Sequence, residues 1–321
     1  MTPAQPTNRT TAVIGLSAVL LVVLIFTGCE TSESLIVNPG NCWVYSRDSD
    51  RLTALDADGE LTVIVEDPGR AVALAADPVN GEIWLADVAA RRLVKYDTDG
   101  ILERLVSGFD QPADMVVDPD SQNLYVIDSG AEALSALDEN GNGLWTLELD
   151  YFPHQLGLAG RENARRLIIE GREVLYCYDS AQGELLWIHE LADEGRYHLD
   201  AEPDSASFWL SDGAVLRRYD LADASVTVEI AGLERPTVIS ATDGGCWVYD
   251  DATGDLHLYD DAGARLTTVS DLPGEPLLGA VPDRVWVAVE TADLVALYDE
   301  NGDEETRTTS VIGPAVIGAV R

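Results

Sequence analysis

The chain has 321 residues, with 57 acidic and 20 basic side chains and a formal net charge of −37. That balance excludes nucleic acid as a partner, since phosphate binding needs a clustered positive surface, and it disfavours direct docking on anionic lipid headgroups. Lys95 is the single lysine; so acidic an exterior reads as a solubility surface, with a salt-adapted shell or a cation-attracting face as the other readings.

The amino terminus is polar up to Arg9 and is followed by an apolar run from Ala12 to Thr27. That run falls short of the roughly 20 residues a spanning helix needs and sits where the apolar region of an export signal belongs. Its ending, Phe26-Thr27-Gly28-Cys29, resembles the lipobox of bacterial lipoproteins, in which small residues precede the cysteine that is acylated. The resemblance implies a signal peptide over residues 1–28, lipid on Cys29, a short polar tether over residues 29–34 and a body outside the cytoplasm. An uncleaved amino-terminal anchor would place the body on the same side, because no later stretch is long and apolar enough to span.

Residues 35–321 read as one repeating domain. From Ala71 to Pro112 there are four short apolar runs, Ala71 to Ala75, Ile83 to Ala86, Leu93 to Tyr96 and Ile101 to Val106, each set off by Gly, Asp, Pro or Asn. That is the pattern of four strands joined by tight turns. Aligning the chain with itself on the second run gives Trp43, Trp84, Tyr125, Ile168, Trp209, Trp247 and Trp286, at spacings of 38 to 43 residues. Seven copies at this period predict an all-β, seven-bladed propeller of four-stranded antiparallel blades. The third run of each copy ends in an apolar residue and aspartate, as in Tyr96-Asp97 and Tyr259-Asp260, with glycine following in most copies, which predicts a hairpin. The inner runs are apolar at nearly every position and the fourth runs carry more charge, so the strands are covered on both faces near the axis and wet at the rim.

Pro314 to Val320 repeats the first-strand pattern of Pro112 to Val117 with no second strand after it. It is expected to become the innermost strand of blade 1 and close the ring, with Leu35 to Val37 as the competing segment. With Cys29 given to lipid, Cys42, Cys177 and Cys246 are an odd set; Cys42 and Cys246 fall on blades 1 and 6, too far apart to bridge, so buried thiols are expected. No Cys or His spacing suits zinc.

Pro112 to Asp118 followed by Asn123 to Ser129 resembles the NHL repeat, and most of the chain after Glu30 looks like a divergent array of it. Blade 2 departs from the pattern at Ala89-Ala90-Arg91-Arg92, and Leu175 to Leu191 is similar to a quinoprotein-type propeller repeat. The resemblance implies the fold and leaves function open among binding scaffolds, sensors and a few lyases.

In a propeller the connections from fourth to first strand and from second to third strand share one face beside the channel. There the chain supplies Gln111 to Asp114, Tyr151 to His154, Arg196 to His198, Glu234 to Pro236 and Gly274 to Pro276. Tyr151, His154, Arg196, Tyr197, His198 and Arg235 form the candidate ligand-binding sector, which otherwise plugs the channel mouth with large side chains. His189 and His257 fall on strands away from that face and read as structural. Asp138 to Gly143 and Asp299 to Asp303 offer clustered oxygens but lack the later glutamate of a calcium loop and read as turns. No nucleophile elbow, zinc-protease helix motif or phosphate loop occurs, so no catalytic residue, metal or cofactor is assigned. The sequence therefore predicts a monomeric envelope lipoprotein that binds or scaffolds a protein or small ligand at the channel mouth. A metal-dependent propeller lyase or hydrolase and an envelope assembly factor are the alternatives.

Overall fold

A computed structural model describes residues 41–161, 164–191, 197–201 and 204–319. The signal, Cys29, the tether and Leu35 to Val37 lie outside the described residues. The described residues form seven four-stranded antiparallel sheets, each running from an inner strand at the axis to an outer strand at the rim. Blade 2 contains strands Ala71–Ala76, Ile83–Asp87, Arg92–Tyr96 and Leu102–Ser107, at the positions expected from its apolar runs.

Burial follows the predicted gradient. The second strands Cys42–Ser46, Ile83–Asp87 and Leu124–Asp128 are buried at every residue, while the outer strand Leu102–Ser107 is almost wholly exposed. Trp84, Trp247 and Trp286 are fully buried, filling the space between adjacent blades. Cys42, Cys177 and Cys246 are buried and in no disulfide. The expected hairpins are Asx turns: Asp97 Oδ1 accepts the N–H groups of Asp99 and Ile101 at 2.9 and 2.8 Å, and Gly100 takes a left-handed φ of 76°. Asp138 does the same with Asn140 and Asn142. Its oxygens are therefore used by its own turn.

The ring closes as the terminal repeat requires. Pro314–Ala319 is the inner strand of blade 1 and pairs antiparallel with Cys42–Ser46, Cys42 opposite Ala319 and Tyr45 opposite Val316. Next to it the blades meet through small residues: a Cβ on Gly279 would lie 2.9 Å from that of Ala319, and one on Gly318 would lie 3.0 Å from that of Leu74.

Elsewhere the inner strands are stapled by side chains that reach the backbone of the next blade. Asp114 accepts from Leu156 N–H, Gln155 accepts from Leu199 N–H and donates to the Tyr197 carbonyl, Asp200 accepts from Ala241 N–H, and Ser240 accepts from Ala280 N–H. Burial raises the Asp114 carboxyl to about 6, and the nearby Asp200 charge adds to the effect. The folded chain thus keeps a proton that the unfolded chain releases near pH 4. Stability from this group is full below that pH and is lost as pH rises to about 6. Asp114→Asn cannot ionise, so its melting temperature minus that of the parent is expected to increase between pH 4 and pH 7. A difference that stays flat across calorimetric scans in that range would show that the Asp114 carboxyl titrates in the fold as it does in the unfolded chain.

Candidate functional site

Two of the cavities among the described residues involve the inner strands. The first, of about 260 Å³, is the channel itself, lined by inner-strand residues including Leu74, Asp114, Leu156, Asp200 and Ile317. Its two carboxylates are already spent on the staples. The second, of about 730 Å³, lies on the face of the fourth-to-first connections, between blades 4, 5 and 6.

Of the sector read from the sequence, His154, Tyr197, His198 and Arg235 line this second cavity. His154 is exposed, its ring 5.1 Å from that of Phe152. Tyr197 is buried in the apolar cluster of blades 4 and 5. His198 opens the inner strand of blade 5, His198–Ala201. Arg235 is exposed and ion-paired with Asp251. Arg196 lies outside the described residues. Tyr151 does not line the cavity. It stacks on Tyr176 with ring centroids 3.7 Å apart and shares a hydroxyl contact of 3.2 Å with Tyr178. That packing buries its phenol and raises its pKa.

The cavity also takes in side chains not singled out by the sequence, chiefly Glu170, Arg172, Thr237 and Glu275. Glu170 ends the second strand of blade 4, the place held by Asp87, Asp128 and Asp250 in blades 2, 3 and 6. Those aspartates each tie down the connection entering their blade. Asp128 accepts from the N–H groups of Asp110, Gln111 and Ala131, and Asp250 from those of Glu234, Arg235 and Ala252. In blade 4 Pro153 has no N–H to give, and the His154 N–H goes to the Glu170 carbonyl at 2.9 Å. The Glu170 side chain is left 5 % exposed, with the Arg172 N–H as its hydrogen-bond donor among the described residues. Burial pushes its carboxyl up to about 7. Thr237 sits at a bulge in the inner strand of blade 6, and its Oγ1 is buried with no hydrogen-bond partner among the described residues.

The other two histidines are structural in position. His257 is buried, its Nδ1 2.9 Å from Thr268 Oγ1, and burial lowers its pKa; His189 meets the edge of Tyr219. Among the described residues no three His, Cys, Asp or Glu side chains gather as a metal site would require.

Solved structures share this architecture at low identity. A protein of unknown function from Desulfotomaculum acetoxidans matches at 11 % identity and TM-score 0.69, over 87 % of this chain and 98 % of its own. Virginiamycin B lyase from Staphylococcus aureus matches at 14 % and 0.64, over 79 % and 89 %. BamB from Moraxella catarrhalis matches at 12 % and 0.55, over 83 % and 84 %. At such identities the likeness is one of fold. No curated protein matches the sequence significantly. A family model does: PQQ_2, described as outer membrane protein assembly factor BamB, matches residues 130–311, which include the quinoprotein-like stretch from Leu175 to Leu191. The array is therefore assigned to that repeat type, while the NHL subtype is not established. With more than half of its length matched, the chain belongs to the PQQ_2 family.

Proposed function

We propose that this chain is an exported, lipid-anchored propeller of the cell envelope that binds or scaffolds a partner at the cavity between blades 4, 5 and 6. The observation that carries the reading is the Glu170 wall of that cavity, where a buried carboxylate and a buried hydroxyl are not consumed by the fold, unlike the equivalent aspartates and the channel staples. The family description favours a protein partner, and an assembly role at the outer membrane is the finer form of the reading.

Cys42 begins the second strand of blade 1, opposite Ala319, so both described ends of the propeller lie on the face away from the cavity.

A photo-crosslinking residue at position 235, on the cavity rim, should give a discrete adduct in the native envelope. The same residue at position 104, on an outer strand, should give none. Adducts from both positions in equal yield, or from position 104 alone, would move the binding surface to the outer wall.

A further inference from the structure

We infer that the cavity between blades 4, 5 and 6 is a receptor for a basic group, an alkyl ammonium or guanidinium, whose N–H donors pair with Glu170 and Thr237. The inference rests on the reading of this cavity as the binding site and specifies the chemistry it selects.

The wall of the cavity in blade 4 holds acceptors that the fold leaves unspent among the described residues. Where the repeat places aspartate at the end of the second strand, donors surround the carboxylate: two connection N–H groups and one turn N–H at Asp128 and at Asp250, and the Arg70 N–H, the Ala90 N–H and the Arg92 guanidinium at Asp87. Blade 4 places a longer acid there, withdraws the connection donors through Pro153 and the His154 bond to the Glu170 carbonyl, and leaves one backbone donor among the described residues. A buried carboxylate so poorly supplied is costly when ionised, and so is a buried hydroxyl without a partner. The first cost is relieved by a ligand that carries positive charge and N–H groups, and the second by one whose further N–H groups extend across the cavity to blade 6. Water or an anion would supply no compensating charge to Glu170.

The surroundings fit a cation better than an anion. Arg235 is paired with Asp251, and Glu275 faces the cavity from the connection into blade 7. Among the described residues Arg172, in the turn that follows Glu170, is the other guanidinium on the wall; His154 approaches from blade 4, and Tyr197 and His198 from blade 5. The formal charge of −37 draws cations toward the whole body, and Glu170 is where one can be desolvated and held.

The test uses the full-length protein and three probes: n-butylguanidinium, a blocked Ala-Arg-Ala peptide, and tetramethylammonium, which has charge but no N–H. Binding is followed by NMR titration at pH 6, 7 and 8. The first two probes should bind and tetramethylammonium should not. Because the cation takes ionised Glu170, affinity should rise about tenfold from pH 6 to pH 8, the range centred on its carboxyl near 7. Glu170→Gln should lose at least about tenfold in affinity at pH 8 and most of the pH slope, and Thr237→Val should lose a smaller part. Binding of the peptide alone points to a side chain of a protein partner, and binding of the free guanidinium alone to a small amine; each supports the basic-group chemistry.

A parent affinity that is flat from pH 6 to pH 8 overturns the inference without recourse to any variant. So does equal binding of tetramethylammonium, or full affinity in Glu170→Gln. If the adduct from position 235 persists in Glu170→Gln while the cation tests fail, the cavity remains the binding site and the chemistry assigned to it is wrong. If position 235 gives no adduct in the parent, the site reading itself falls.

Discussion

Deleting residues 314–321 is expected to lower the melting temperature by about 10 °C or more. The segment is the inner strand of blade 1, and its loss removes one wall from two blade interfaces at once. Ala315 and Val316 pack into the cluster that joins blades 1 and 2, and Ile317 and Ala319 into the one that joins blades 7 and 1. Four apolar side chains at about 1 to 2 kcal/mol each give a loss on the order of 5 kcal/mol, and a domain of this size shifts by about 2 °C for each. The backbone edge of Cys42–Ser46 would also lose its partner and become a site for pairing with other chains. A second readout is local. Cys42 is fully buried and its thiol is raised by that burial, so the deletion should make it react with thiol reagents while Cys177 and Cys246 stay protected. A synthetic peptide covering residues 313–321 should restore part of the melting temperature. A truncated chain that melts within about 2 °C of the parent, with Cys42 still protected, would mean that another segment completes blade 1.

The fold was legible because its determinants repeat. The tryptophan or its equivalent on each second strand is buried between blades, and the turn aspartate fixes the third-to-fourth hairpin by accepting its own N–H groups. Both are local signals at a fixed period. The cavity was only half legible, since phase along the repeat locates His154, Tyr197, His198 and Arg235 on the right face but does not say which connections fold inward. Tyr151 shows the difference: its neighbour is Tyr176, on the third strand of its own blade, and that stack follows from blade geometry. Glu170 reads as an ordinary strand end until it is set against Asp87, Asp128 and Asp250, and its unspent oxygens appear only once the connection N–H groups are counted. Thr237 depends on a bulge, which no periodic pattern encodes.

The staples and the cavity occupy the same arc. Side-chain-to-backbone bonds join the inner strands of blades 3 through 7, whereas blades 7 and 1 meet with Gly279 against Ala319 and blades 1 and 2 with Gly318 against Leu74. Satisfied polar networks fix geometry more strictly than apolar contacts of similar area. The sector that carries Glu170 and Thr237 is therefore the one whose blade spacing is most closely specified, as a receptor for a small charged group requires.

Replacing Arg165 by methionine should destabilise the propeller nearly as much as losing the closing strand. Arg165 lies in the connection between the first two strands of blade 4 and is 1 % exposed. Its Nε meets Asp118 of blade 3 at 2.8 Å, and its Nη2 meets Asp120 at 2.8 Å and Asp204 of blade 5 at 3.1 Å. Its Nη1 donates to the Gly160 carbonyl at 2.8 Å. One guanidinium thus holds three blades on the face opposite the cavity. Methionine fills much of the volume but leaves Asp118, itself buried, without the cation, and breaking a buried pair in this way costs about 3 to 5 kcal/mol. Asp120 and Asp204 are half exposed or more and can turn to water, so they add little. The expected drop is about 6 to 10 °C. Adding Asp118→Asn to Arg165→Met should recover a good part of it, because the amide removes the stranded charge and keeps an oxygen for the Asp120 N–H. If the double variant melts no higher than the single one, the role of Arg165 is packing and its donated bond to Gly160. A single variant within about 2 °C of the parent would show that the three blades are held at this face by their apolar clusters alone.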